Sequence, residues 1–423
     1  MMWYNSRMKR VCFVTQGCRL NQSETASLEN AFRYEGYDLV HHYQDADIAI
    51  INTCTVTENG DKDTKRLVNQ LVNANSSIKI ALIGCQSQVH KDALLNLKNV
   101  AWVIGNAEKM NTHHIIAQTD HLQDPVIRTK KMKRDAFVIE RSSVDSHHTR
   151  ANIKIQDGCD FYCSFCVIPF ARGPARSRVY EDIIRECIDL GEAGHQEIVI
   201  TGINVGTYDY EGKTILDVIE GISAIDTIQR IRISSIEPTT IPRELILMMN
   251  SNSKLCRYLH IPLQSGSEAM LQAMARKYSV AEFRSFIEWV YETVPDICIG
   301  TDVIVGFPGE TKALFDETVA NLMTMPIHYM HVFSYSERKF ARSSRKEDKV
   351  DSAEIARRSK VLRDISQKKK QLFYDRFRGN RVSVLFESQK NQVWSGLTDN
   401  YIRVLHSSNK DLRNQFLTLT YSS

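Results

Sequence analysis

The chain has 423 residues, enough for two to four domains at roughly 150 residues each. Hydrophobic residues make up 43%, aromatics 9% and charged residues 25%, which excludes disordered, collagen-like and mucin-like chains. No run approaches the ~20 apolar residues of a membrane span, Met1 to Arg10 lacks a secretory apolar stretch, and ten cysteines are too sparse for a disulfide scaffold. The expectation is a cytoplasmic protein with reduced thiols and no membrane partner. Net charge is +4, but from Arg338 onward 20 Lys and Arg face 9 Asp and Glu. That basic C-terminal fifth suits a polyanionic partner, although a solvated charged helix explains it equally.

Strand and helix patterns alternate from the start. Arg10–Thr15, Asp47–Asn52 and Ile78–Gly84 are apolar, strand-length runs, each followed by a helical pattern. Such runs suit strands buried on both faces, and a βαβαβα order implies a doubly wound parallel sheet. The basic stretch 128–134 reads as a linker ending near His148. A second alternating series then supplies six strand candidates, at 152–156, 197–201, 230–234, 258–263, 299–305 and 329–333. Six βα units make a partial barrel with one open side. A basic helix follows Lys349, and two strand patterns around the turn signal Thr398-Asp399-Asn400 predict a small β-barrel module at the end. The fold class is therefore α/β, with domains at 9–125, 145–376 and 377–423.

Cys159, Cys163 and Cys166 form C-x3-C-x2-C just after the first strand of the partial barrel. Three thiolates on one loop suit a [4Fe–4S] cluster with one iron left open. Zinc with a distant fourth ligand, such as His147 or His148, is the other metal reading. Cys18, Cys54 and Cys85 follow the first, second and third strands of the opening segment. Ligands in open α/β sheets gather at carboxyl ends of strands, so these cysteines converge on a second three-thiolate site. Cys12, Cys187, Cys256 and Cys298 fall inside strand or helix patterns and read as core.

Lys154-Ile155-Gln156-Asp157-Gly158-Cys159 with Cys163-Ser164-Phe165-Cys166 resembles the radical S-adenosylmethionine (SAM) signature. Thr15-Gln16-Gly17-Cys18-Arg19-Leu20-Asn21-Gln22, Asn52-Thr53-Cys54 and Gly84-Cys85 narrow the resemblance to the methylthiotransferases. It covers nearly the whole chain, and Gly396 to Tyr401 resembles the family's RNA-binding TRAM module. Ser336 to Ala341 departs from the usual Gly-Thr-Pro-containing loop. The resemblance implies two [4Fe–4S] clusters. The one on Cys159, Cys163 and Cys166 binds SAM and cleaves it to a 5′-deoxyadenosyl radical. The one on Cys18, Cys54 and Cys85 supplies or carries sulfur, and a second SAM gives the methyl group.

Residue by residue, the resemblance implies that Phe165 lies beside the cofactor adenine, with core packing as the alternative. Glu237 and Gln264, at strand ends on the barrel rim, are its polar cofactor-binding candidates. Arg172, Arg176 and Arg178 form a basic loop able to hold RNA phosphates; the structural alternative is a helix capped by Ser177. The implied partners are tRNA and an electron donor such as a flavodoxin or ferredoxin, without DNA. The implied reaction is methylthiolation of carbon 2 of N6-threonylcarbamoyladenosine at tRNA position 37. Rival substrates are isopentenyl-adenosine and a ribosomal-protein side chain; a metal-containing RNA-binding protein without catalysis is the rival of another class. The anionic threonylcarbamoyl group calls for cations or hydroxyls, for which the sequence offers the same three arginines, Ser234 and Ser235.

Overall fold

The computed structural model describes residues 8–55, 58–142, 144 and 149–422. His147, His148 and the domain boundary expected at residue 145 lie outside the described residues. The chain forms two compact units. One comprises Met1–Val144, Asp157–Asp160 and Cys166–Ser177; the other comprises Asp145–Gln156, Phe161–Phe165 and Arg178–Ser423.

The first unit runs β1 (Arg10–Thr15), α1 (Arg19–Tyr34), β2 (Asp38–Leu39), β3 (Ile48–Thr53), α2 (Glu58–Ala74), β4 (Lys79–Gly84), α3 (Cys85–Val89), α4 (Lys91–Leu95), β5 (Val100–Ile104), α5 (Thr112–Thr119) and β6 (Val126–Arg128). The strands pair in parallel in the order β2-β1-β3-β4-β5-β6, with Val14 opposite Ile51 and Ile51 opposite Leu82. Alternation sends Ala49, Ile51, Ile80 and Leu82 into one core with Val68 and Leu71 of α2. Ile48, Ile50, Ala81 and Ile83 enter the other core with Leu28 and Phe32 of α1. Burial on both faces explains why β3 and β4 lack polar alternation. Three expected strands are present, and β2, β5 and β6 extend the sheet to six.

Next in chain order come β7 (Ala151–Lys154), β8 (Gln156–Asp157), α6 (Ile168–Arg172), β9 (Arg176–Ser177), α7 (Tyr180–Glu192), β10 (Glu197–Thr201), β11 (Asp209–Tyr210), β12 (Lys213–Thr214), α8 (Ile215–Ser223), β13 (Arg230–Ile233), α9 (Arg243–Ser251), β14 (Tyr258–His260), α10 (Glu268–Ala273), α11 (Val280–Thr293), β15 (Cys298–Val305), α12 (Lys312–Thr324) and β16 (Tyr329–Ser334). Within the second unit, β7, β10 and β13 form one parallel sheet and β14, β15 and β16 another. Main-chain bonds from Cys256 N to Ile231 O (2.8 Å) and from Ile236 N to His260 O (3.1 Å) join them into one six-stranded arc. Among the described residues no pairing closes β16 onto β7, so the barrel is partial.

α13 (Ser352–Asp375), capped by Asp351, leads to β17 (Arg381–Lys390), β18 (Val393–Leu397), β19 (Arg403–Ser407) and β20 (Phe416–Thr420). These strands form an open antiparallel sheet in the order β19-β18-β17-β20. Val384, Phe386, Trp394 and Ile402 share a core with Tyr258, Cys298 and Tyr329 at the beginnings of barrel strands. Buried Arg232 pairs with Glu197 (2.7 Å) and donates to the carbonyls of Thr398 and Asp399 (3.0 Å each), tying the terminal sheet to the barrel. Among the described residues, no helix is long and apolar enough to cross a membrane.

Candidate active site

In the first unit, Cys18 immediately precedes α1 after β1, Cys54 directly follows β3, and Cys85 opens α3 directly after β4. β1, β3 and β4 are neighbours, so all three cysteines stand at one edge of the sheet, at the carboxyl ends of strands. Cys85 is buried, Cys54 half-buried and Cys18 exposed. Close approach depends on Gly17, at φ +91°: a Cβ there would stand 2.7 Å from Cys54 Cβ and 2.8 Å from its Sγ.

Behind these cysteines, α1 buries Asn21, Ser23, Glu24 and Thr25, an unusual set for a core-facing helix surface. Buried polar groups need partners, and here they come from far along the chain. Glu24 accepts from Lys109 Nζ (2.5 Å) and from both terminal nitrogens of Arg172 (3.1 Å each). Arg172 also donates to Asp157 Oδ1 (2.9 Å) and Asn21 Oδ1 (2.7 Å). Asn106 Nδ2 donates to Ala171 O (2.8 Å) and reaches Cys85 Sγ at 3.5 Å. Burial pulls the Lys109 ammonium below its ordinary value, while Glu24 works to hold its proton. Lys109 and Arg172 are the buried cations that stand electrostatically close to Cys85.

Cys159, Cys163 and Cys166 lie on the irregular stretch between β8 and α6, each half-buried. Gly158, at φ +72°, lets the chain pass Pro174, whose carbonyl oxygen would stand 2.0 Å from an added Cβ. In the second unit, Arg276 donates to Cys163 Sγ (3.1 Å) and to Tyr278 Oη (3.0 Å), and pairs with Glu237. Burial pushes the Glu237 carboxyl above its ordinary value, against the pull of Arg276. Gln264 is buried at φ +74°; its N–H donates to Asp302 O (2.8 Å) and its carbonyl accepts from Ile304 N–H (2.9 Å). Phe165 packs against the Met270, Met274 and Phe307 cluster. The Gly306 N–H donates to Glu310 Oε2 (2.8 Å), and Glu310 pairs with Arg358 (2.6 Å), which locks that turn.

The basic loop is corrected by the structure. Arg172 is 1% exposed and committed to Glu24, Asp157 and Asn21. Arg178 is fully buried against Asp182 and Glu186, and Arg176 pairs with Asp157 (3.0 Å) beside the Phe137 ring. The Arg172 and Arg178 guanidiniums are therefore structural and closed to phosphate. The helix start is Val179 rather than Ser177, without a side-chain cap. Cys12, Cys187, Cys256 and Cys298 are buried, and burial pushes Cys12 up to about 11 and Cys256 to about 12. Sequence reasoning missed Glu24, Lys109, Asp157 and Arg276 as parts of the site. For Glu24 the available signal was a polar residue at a helix position that should be apolar; Asp157, on β8, and Arg276, between α10 and α11, gave no such signal.

A Radical SAM superfamily model matches residues 153–322, and a model described as Uncharacterized protein family UPF0004 matches residues 10–105. Arc, cysteine loop and superfamily match define a radical SAM protein, a class that implies SAM and an iron–sulfur centre. The threonylcarbamoyladenosine tRNA methylthiotransferase MtaB of Aquifex aeolicus is 34% identical over 95% of this chain and 98% of that protein. Its Bacillus subtilis counterpart is 33% identical over 96% and 92%. The tRNA-2-methylthio-N(6)-dimethylallyladenosine synthase of Endomicrobium trichonymphae is 30% identical over 94% and 93%. The chain belongs to the radical SAM methylthiotransferase family. The radical SAM methyltransferase TsrM of Kitasatospora setae shares the fold, with a TM-score of 0.59 at 13% identity over 80% of this chain and 77% of that one.

The residues fit iron–sulfur ligation: both sets offer soft thiol donors. Gly17 leaves space that a Cβ would fill, and cations accompany Cys85 and Cys163.

Proposed function

We propose that this protein methylthiolates carbon 2 of N6-threonylcarbamoyladenosine at position 37 of tRNA. Cys159, Cys163 and Cys166 would hold one [4Fe–4S] cluster, and Cys18, Cys54 and Cys85 a second. Bound there, the clusters and SAM supply one-electron cleavage of the sulfonium, a hydrogen-abstracting radical, sulfur and the methyl group.

The chain's own residues prepare both places. Arg276, held by Glu237 and Tyr278, orients Cys163 through its guanidinium hydrogen bond. Glu237, Gln264 and Phe165 are the residues proposed to meet SAM, the first two through polar atoms and the third through its ring. Lys109 and Arg172 bring positive charge near Cys85 without opening the site to water, since both are buried. The basic C-terminal fifth faces tRNA, and a flavodoxin or ferredoxin in the cytoplasm supplies electrons.

The observation that carries this reading is three cysteines at the carboxyl ends of three adjacent parallel strands, in a chain 34% identical to a threonylcarbamoyladenosine tRNA methylthiotransferase. Three measurements test it. Anaerobically reconstituted protein should hold about eight irons, falling to about four when Cys18, Cys54 and Cys85 become Ala. That triple variant should still release 5′-deoxyadenosine but form no methylthio product; changing Cys159, Cys163 and Cys166 should abolish both. Nucleosides from a deletion strain should lack 2-methylthio-N6-threonylcarbamoyladenosine. Loss of the methylthio-isopentenyl nucleoside instead would overturn the substrate assignment.

A further inference from the structure

With Arg172 and Arg178 buried in ion pairs, the anionic group of the proposed substrate loses two of its three arginine candidates. His260, Asp302 and His331 come from β14, β15 and β16, three neighbouring strands of the arc. His260 Nε2 lies 2.8 Å from Asp302 Oδ1, and His331 Nδ1 lies 3.3 Å from the same oxygen. The two imidazoles are stacked, with ring centres 5.0 Å apart. His260 Nδ1 meets Tyr329 Oη at 3.2 Å, which in turn meets Tyr258 Oη at 2.6 Å. His260 is thus fully engaged within the protein, whereas the His331 side chain is 57% exposed.

Position ties this group to the radical site. The charge of Asp302 is felt at Glu237, which pairs with Arg276, the donor to Cys163. Alternation along β15 puts Asp302 on the same face as Ile304, which packs, as Phe165 does, against the Met270, Met274 and Phe307 cluster. On its other side, His331 borders a cavity of about 230 Å³ that Lys370, Tyr374 and Tyr401 also line.

We propose that the His260–Asp302–His331 group reads the carboxylate of the threonylcarbamoyl side chain, with His331 as the contacting residue. Asp302 occupies Nδ1 of His331, which fixes the ring and leaves Nε2 to face outward. Set between Asp302 at Nδ1 and a substrate carboxylate at Nε2, the ring donates from both nitrogens, the second as a charge-assisted bond. His260, buried and bonded to Tyr329, holds Asp302 in place and is a positioning residue. An apolar isopentenyl chain at the same spot would desolvate His331 and Asp302 without a partner, so the group also discriminates against it.

This inference rests on the methylthiotransferase reading above. The test uses reconstituted holoenzyme and two anticodon stem-loop RNAs, one carrying N6-threonylcarbamoyladenosine and the other its carboxamide analogue, with an isopentenyl-adenosine RNA as the reference substrate. The wild type should prefer the carboxylate RNA by about 10- to 100-fold in kcat/KM. His331→Gln should reduce that preference to about twofold, and His331→Lys should restore part of it, because a cation returns. The ratio cancels losses from misfolding, and equal losses on both RNAs would overturn the proposal. Asp302→Asn, followed by binding of the two RNAs rather than turnover, should lose the same preference; an unchanged binding ratio would also overturn it. A metal ion beyond the eight irons, released by His331→Gln, would replace the proposal with a metal site. A wild type that acts only on isopentenyl-adenosine RNA overturns the substrate reading itself. A wild type active on the threonylcarbamoyl RNA without preferring its carboxylate overturns this inference alone.

Discussion

Replacing Arg172 with Met keeps the volume of the side-chain stem and deletes the guanidinium. Four hydrogen bonds go with it, two to Glu24, one to Asp157 and one to Asn21. The buried set then falls from two cations and two carboxylates to Lys109 alone against Glu24 and Asp157, each side chain no more than 3% exposed. Removing one partner from a buried pair costs about 3–5 kcal/mol. Lys109 remains on Glu24 and Arg176 on Asp157, so the lower end, about 3 kcal/mol, is expected. That corresponds to about a 100-fold loss of protection. Hydrogen–deuterium exchange of peptides covering β3 and β4 reads it directly, because those strands form the centre of the first unit's sheet. Adding Glu24→Gln also leaves buried Lys109 without its carboxylate, so the double variant should lose further protection. Exchange within threefold of wild type in Arg172→Met would refute the view that this network holds the unit together.

Gly17→Ala should lower iron at the N-terminal site while leaving about four irons elsewhere, because φ is +91° and the new Cβ meets Cys54; full iron content would exclude that role. Burial works to raise Glu197, but Arg232 and Arg230 hold it below the ordinary carboxylate value, so its contribution is present above the unfolded pKa and lost as pH falls through the lower folded one. Arg232→Met should therefore begin acid unfolding of the apo-protein at a higher pH by circular dichroism; an unshifted midpoint counts against the ion pair. Lys390, Lys410 and Arg413 are exposed on the terminal sheet and its loops. Changing all three to Ala should lower the log–log salt slope of tRNA binding by about one unit for each lost phosphate contact. An unchanged slope would place tRNA elsewhere. Point changes suit this test better than removing the sheet, whose Val384, Phe386 and Trp394 share a core with Tyr258 and Tyr329.

Much of this protein was legible one residue at a time. Short spacing brings Cys159, Cys163 and Cys166 onto one loop, and continuous apolar runs mark β3 and β4. Cys18, Cys54 and Cys85 could be placed together because parallel βα units put successive strand ends on one edge. The small edge strand β2 and the five-residue β5 escaped because such short runs carry too little periodicity to separate strand from loop or helix. The fate of the charged residues was decided by tertiary structure alone. Arg172 looked like a phosphate clamp until Glu24, 148 positions away, enclosed it, and Lys109 meets the same carboxylate from 85 positions away. His260, Asp302 and His331 likewise become one group only when three strands align. Periodicity and spacing are local properties of a chain, whereas a charge's role depends on which opposite charge the fold brings within about 3 Å and on how much water remains there.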